Sequence, residues 1–213
     1  MAGELKEIVV RIPVWNRSPY GDTCLHPGIP YVVLPSHMEN ILAIPKQDGQ
    51  PHHLESLKLY DPRTPRDAES VLLLRPGGIG DVMFLGPTVK RLKQMGKRVG
   101  VCTHPGTGEL LAGTDPDWGE WVRYPAARGN LEEWDACLVM DGSIEGNPVA
   151  LTVNAYQVMW DWVCRWLQIP VTVLPHTELR PLPMSETNPR TSMGAEWQRL
   201  PHEKWLVVAM APS

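Results

Sequence analysis

Apolar positions change their spacing along the chain, and the changes mark the elements. Val71-Leu72-Leu73-Leu74 is a continuous apolar run of strand length, closed by the turn residues Pro76-Gly77-Gly78-Ile79-Gly80-Asp81. Beyond the turn, Val82, Leu85, Val89 and Leu92 recur every three or four residues, a helical period. Arg98 to Cys102 reads as a second strand, Glu109-Leu110-Leu111 as part of a short helix, and Trp121 to Tyr124 and Ala136 to Met140 as further strands. The most regular helix spans Leu151 to Gln168. Leu151, Ala155, Val158, Trp162 and Trp166 line one face of it, and Asp161 and Arg165 stand four apart on another. Val171 to Leu174 predicts one more short strand. Apolar strands alternating with helices imply an α/β fold, a doubly wound parallel sheet covered on both faces, with ligands at the carboxyl ends of its strands.

The flanks read differently. Before Val71, the bursts Ile8 to Ile12, Tyr31 to Leu34 and Ile41 to Ile44 each run into a proline (Pro13, Pro35, Pro45), which suits short edge strands better than helices. Residues 1–69 are therefore expected to be an N-terminal arm or small β-rich module, a proline-rich, short-stranded extension that ends in the linker Asp61-Pro62-Arg63-Thr64-Pro65-Arg66-Asp67. Residues 70–175 form the α/β domain. Residues 176–213 read as a proline-rich connector with a short helix around Ser192 to Arg199, leading to an apolar terminal strand from Trp205. Proline usage follows the same division. Nine of the 22 prolines precede Val71 and seven follow Ile169, whereas 13 of the 18 glycines lie between, as expected if the middle holds the regular elements.

Charge narrows the function classes. A net charge of -4 argues against gripping nucleic acid as the main task. The cluster Lys90, Arg91, Lys93, Lys97, Arg98 reads first as a solvated face near a helix C-terminus and second as a contact for an anionic partner. Cys24, Cys102, Cys137 and Cys164 are widely spaced, three of them in apolar segments, and read as reduced core residues. The start Met1-Ala2-Gly3-Glu4 shows no basic-then-apolar leader pattern, and no apolar run approaches the ~18 residues of a membrane span. A cytoplasmic protein, or part of a particle assembled inside cells, is expected.

The glycine turn at 76–81 carries the candidate chemistry. As a dinucleotide fingerprint it lacks the third small residue, since Gly78-Ile79-Gly80 is followed by Asp81, Val82 and Met83, and no acidic residue closes the second strand. As a phosphate loop it lacks the lysine that should follow its last glycine. Two readings stay open. The glycines make a tight turn and Asp81 caps the helix, or the turn belongs to an active site.

The run from Val71 through Arg75-Pro76-Gly77-Gly78-Ile79-Gly80-Asp81 to Pro87 and Leu92 resembles the opening of the heptosyltransferase-type glycosyltransferases, which have the GT-B fold. In that family an apolar strand enters a small-residue turn ending in Gly-Asp, followed by an apolar stretch, a proline and the first helix. Trp134 to Ile144 is similar to the family's fourth strand, the helix ending at Leu167-Gln168-Ile169-Pro170 to a later element, and Trp205 to Ser213 to the strand that opens the second domain. The resemblance covers about residues 71–213. It implies a Rossmann-like GT-B N-terminal domain in which Asp81 is the general base, favoured at a helix N-terminus by the dipole. Gly77, Gly78 and Gly80 would let acceptor or donor approach the backbone, and Asp141 would either face the same cleft or serve only its Asp-Gly turn. No metal and no resident cofactor are implied, with a nucleotide sugar as co-substrate, and His52 and His53 are read as surface residues.

In such enzymes the nucleotide sugar sits mostly on the second domain, of which this sequence carries only the first strand. The expected function is therefore a glycosyltransferase-like half-domain, non-catalytic alone or dependent on a partner for the nucleotide-sugar site. The alternative is a structural or assembly protein, for example a virion component, built on the same domain. Either way another protein chain or self-assembly is expected, with exposed Trp15, Trp197 and Trp205 as anchors.

Overall fold

The computed structural model describes residues 5–16, 21–42, 54–62, 67–114, 118–144 and 155–174. All of these residues belong to one compact unit. The connector, the helix near Ser192, the terminal strand, Trp197 and Trp205, and the pair His52 and His53 all lie outside the described residues.

The apolar run at Val71 makes β6 (Ser70–Leu74), a strand buried along its whole length. It lies between β7 (Arg98–Thr103) and β10 (Ala136–Val139), parallel to both, and β8 (Glu120–Arg123) extends the sheet to the order β10-β6-β7-β8. Register is pinned where the strands begin. The Asp135 carboxylate accepts hydrogen bonds from the Ser70 N–H and hydroxyl at 2.9 and 2.8 Å, and the Asp135 N–H is given back to the Ser70 hydroxyl at 2.9 Å.

Alternation along β6 sends Val71 and Leu73 to one face and Leu72 and Leu74 to the other. The first face carries α2 (Ile79–Met83), α3 (Gly86–Gln94), α4 (Pro105–Thr114) and α6 (Ala155–Leu167); Val82, Val89, Leu92, Leu111, Met159, Trp160 and Val163 of these helices, with Leu85 between α2 and α3, close over Val71, Leu73, Val99, Val101 and Leu138. The single helix read over Val82 to Leu92 is two helices. Proline lacks an amide donor, so Pro87 cannot continue α2, but it is accommodated in the first turn of α3. In α6 the buried line runs through Trp160, Val163, Cys164 and Leu167, with Trp162 and Trp166 at its rim.

The second face receives the five-residue α5 (Arg128–Glu132) and a second, antiparallel sheet. That sheet has the order β5-β1-β4-β9, from β1 (Leu5–Val10), β4 (Pro30–Val33), β5 (Leu54–Tyr60) and β9 (Ala126–Ala127). Leu5, Val32 and Leu34 pack with Leu72, Leu74, Cys102, Tyr124, Trp134 and Val139. A ribbon of β2 (Val14–Asn16) and β3 (Thr23–Leu25) adds Val14 and Leu25 to a satellite core behind it. The four cysteines are thiols, with Cys102, Cys137 and Cys164 buried.

Two expected strands are not strands. The burst at Ile41 falls in α1 (Pro35–Leu42), because Pro35 opens a helix instead of ending a strand, and the His37 and Met38 N–H groups turn back to the Leu34 carbonyl at 3.0 and 3.2 Å. Val171 to Leu174 pairs with no strand among the described residues, and α6 takes up its polar groups. Gln157 donates to the Thr172 carbonyl and accepts from the Leu174 N–H, at 3.1 and 2.9 Å, and the Trp160 indole donates to the Thr172 hydroxyl at 3.2 Å.

Tyr124 latches the two sheets together. Fully buried after β8, its hydroxyl accepts the Leu34 N–H at 2.8 Å, while its carbonyl accepts the Thr23 hydroxyl at 3.1 Å. Tyr124→Phe leaves the buried Leu34 N–H without that acceptor and is expected to cost about 1–3 kcal/mol. Urea unfolding checks this, and a variant as stable as the wild type would show that the latch contributes nothing.

Candidate functional site

Strand order locates the site. In chain sequence the four parallel strands are fourth, first, second and third across the sheet, so connections leave β6 in one direction and β10 returns on its other side. The crevice at the carboxyl ends of β6 and β10 is the topological switch point, where open α/β sheets bind ligands.

Backbone bonding continues past the strand ends and fixes the first residues of the loops. The Arg75 N–H donates to the Cys102 carbonyl at 2.9 Å, and the Met140 N–H to the Leu74 carbonyl at 2.8 Å. Arg75 is the second-largest of the fully buried side chains, with 1% of its surface exposed. Its guanidinium donates to the Met140 carbonyl at 3.4 Å and forms ion pairs with Asp141 at 3.5 Å and Asp81 at 3.8 Å. The two carboxylates are 38% and 48% exposed. A buried cation therefore lies beneath two acids that remain open to solvent, an arrangement that holds both carboxylates in place without covering them.

Asp81 does not cap its helix. Gly78 is the capping residue of α2, with extended backbone and no side-chain bond, and Asp81 is the third helical residue. The glycines differ in what they permit. A Cβ on Gly77 would lie 3.3 Å from both the Cβ and Oδ2 of Asp81, so glycine there makes room for the carboxylate, whereas a Cβ on Gly80 would meet open space. Asp141 begins a tight turn in which the Ser143 N–H donates to the Met140 carbonyl at 3.2 Å and Gly142 has φ 73°. The turn and the contact with Arg75 coexist, because the glycine supplies the left-handed backbone. Of the residues singled out from sequence, the fold brings Asp81, Asp141 and Gly77 around Arg75.

A second group adjoins these. His104 follows β7, Tyr124 follows β8, and His37 comes from α1. The two imidazoles stack with centroids 5.7 Å apart at 25°, and each meets the Tyr124 ring edge-on, at 5.3 and 5.4 Å. Burial lowers the pKa of His104 to about 4, aided by the neighbouring His37 charge. His37 is also lowered by burial, against an opposing pull from the Asp141 carboxylate. Burial raises the cysteine thiols, Cys137 to about 12 and Cys164 to about 11, which leaves them poor nucleophiles.

The basic cluster lies elsewhere and is partly engaged. Arg98 holds Glu120 through two bonds of 2.7 and 2.6 Å and covers the Trp134 ring at 4.2 Å. Among the described residues no group of three or more His, Cys, Asp or Glu side chains is placed to hold a metal ion, and no helix is long and apolar enough to cross a membrane.

Sequence reasoning missed Arg75, His37, His104 and Tyr124. Arg75 did leave a signal, a lone cation directly after a continuous apolar run. His37 left none, because nothing in residues 1–69 showed that α1 would reach the sheet.

No family model matches the chain, and no curated protein sequence matches it. Among solved structures it is similar to the bacterial iron-containing dodecameric glycosyltransferase TibC from enterotoxigenic E. coli H10407, at 11% identity and a TM-score of 0.35. The similarity covers 81% of this chain and 43% of that one, so the chain spans less than half of that enzyme's length.

His104 makes acid stability a test of the ring cluster. Its folded pKa of about 4 lies below the ordinary 6.5, so between these values the unfolded chain binds more protons and stability falls as pH drops. His104→Asn is expected to flatten the loss between pH 6.5 and 4 relative to wild type in urea unfolding. Parallel pH profiles for the two proteins would show that His104 is not held neutral by burial.

Proposed function

We propose that this chain is the acceptor-side half of a glycosyltransferase-like protein of the heptosyltransferase type. The observation that carries the reading is Arg75, buried at the switch point and paired with the half-exposed carboxylate of the Gly-Asp turn. In the proposed reaction Asp81 takes the proton of an acceptor hydroxyl as its oxygen attacks the anomeric carbon of a nucleotide sugar. The bond from that carbon to the diphosphate breaks, the nucleoside diphosphate leaves with the electron pair, and the configuration inverts. Arg75 keeps the Asp81 carboxylate directed at the crevice, and Gly77 leaves it space. The nucleotide sugar belongs to a second domain, supplied by the same polypeptide or by another, and most of the charge stabilisation of the leaving group resides there.

A second reading has its own support. Trp15 is 59% exposed, and on the edge strand β5 Leu57 and Leu59 are 47% and 66% exposed. Apolar surface of this kind on the N-terminal module favours a non-catalytic assembly component that reuses the same domain.

The test is nucleoside diphosphate release from UDP-, GDP- and ADP-sugars by the chain combined with its donor-binding domain. Asp81→Asn is expected to lower kcat by about 10²- to 10⁴-fold, the contribution of a general base, with KM little changed. Turnover unaffected by the substitution would remove Asp81 from the chemistry. Failure of any nucleotide sugar to bind in calorimetry, together with stable self-association, would favour the assembly reading.

A further inference from the structure

We propose that the N-terminal module completes the switch-point site, with His37 of α1 supplying a hydrogen-bonding group to a hydroxyl-rich, uncharged ligand held at Asp81 and Asp141. The proposal rests on the acceptor-side reading and names a residue and a ligand class for it.

The placement comes from the backbone. Leu34, the last residue before α1, has its N–H bound to the Tyr124 hydroxyl at 2.8 Å, which sets the first turn of α1 over the carboxyl ends of β7 and β8. His37 lies within that turn. Its ring rests on His104 and against the edge of Tyr124, so two sides of the imidazole are occupied by rings that are themselves buried. His104 after β7 and Tyr124 after β8 touch the ring, and the Asp141 carboxylate after β10 acts on it through its charge. Asp141 in turn pairs with Arg75, which reaches Asp81. Asp141, Arg75 and Asp81 thus form a polar row joined by ion pairs across the carboxyl ends of β10 and β6, and His37 stands near enough to Asp141 to be acted on by its charge.

The chemistry of that row selects the ligand. Its cation is buried and already faces two acids, while the groups open to solvent are the two carboxylates and a half-buried imidazole. An anionic ligand such as a phosphate would meet two negative charges there. A neutral polyol fits, because its hydroxyls donate to carboxylates and both donate to and accept from an imidazole. Burial holds His37 below its ordinary value, so the ring is uncharged near neutral pH and serves in both roles.

The experiment follows the histidine rings and the backbone amides of the full chain by NMR. In the first arm, Asp141→Asn is expected to lower the titration midpoint of His37, because the Asp141 charge that raises it is gone. An unchanged midpoint would separate the two groups and overturn the proposal. In the second arm, methyl glycosides of glucose, mannose, galactose and an aldoheptose are titrated into the protein. Shifts at His37 together with the Gly77 to Asp81 amides support the proposal, and His37→Gln should then weaken binding by about five- to tenfold, roughly one hydrogen bond, while the amide spectrum away from α1 stays that of the folded wild type. Shifts at the turn with none at His37 would overturn the proposal and leave the acceptor reading standing. A titration in which neither group moves would overturn the acceptor reading and the proposal together.

Discussion

A guanidinium with 1% of its surface exposed is the constraint around which the carboxyl end of the sheet is arranged. Removing a cation from water costs several kcal/mol unless its environment compensates. Arg75 follows a fully buried strand and does not reach solvent, so compensation has to come to it. It arrives from β10 as the Met140 carbonyl and the Asp141 carboxylate, and from the glycine turn as Asp81. The need to meet one charge therefore ties two loop segments, the one after β10 and the glycine turn, to fixed positions. A Cβ on Gly77 would lie 3.3 Å from Asp81 Oδ2, so glycine there leaves that carboxylate its place beside Arg75.

The second constraint is the face of the sheet that the larger helices do not cover. Parallel sheets are stable when both faces are buried, and the crossover between β8 and β10 contributes only the short α5 to its side. The N-terminal antiparallel sheet supplies the rest of the cover, with Leu5, Val32 and Leu34 as its contribution to the shared core. Because β9 belongs to that second sheet and comes just after Tyr124, covering the face and latching α1 over the strand ends are parts of one arrangement. A segment needed to bury apolar surface thus also carries His37 to the polar row, which connects packing to the proposed binding role.

Legibility in the sequence divides along the same line between local pattern and tertiary contact. β6, the glycine turn and the helical period after it are readable because each rests on local pattern: a continuous apolar run, turn residues, and spacing of three or four. The strands β7, β8 and β10 are readable for the same reason. α1 is hidden because proline after an apolar burst is compatible with a strand end and with a helix start, and only the tertiary contact of Leu34 with Tyr124 decides between them. β5 is hidden because both its faces are largely exposed and its alternation is weak. The Val171 to Leu174 segment has the composition of a strand, but Gln157 and Trp160, in another element, take its polar groups. Asp81 and Asp141 are visible as motif residues, whereas their relation to each other depends on Arg75, whose role emerges only when β6 and β10 lie side by side.

The most direct measurement is a double-mutant cycle on unfolding free energy between Arg75 and each acid, using Arg75→Met with Asp141→Asn and with Asp81→Asn. A coupling of about 1–3 kcal/mol with Asp141, and a smaller one of the same sign with Asp81, is the result expected of a buried cation paired with two half-exposed carboxylates. Couplings indistinguishable from zero for both pairs would show that Arg75 does not hold the carboxylates, and the site built on it would not stand.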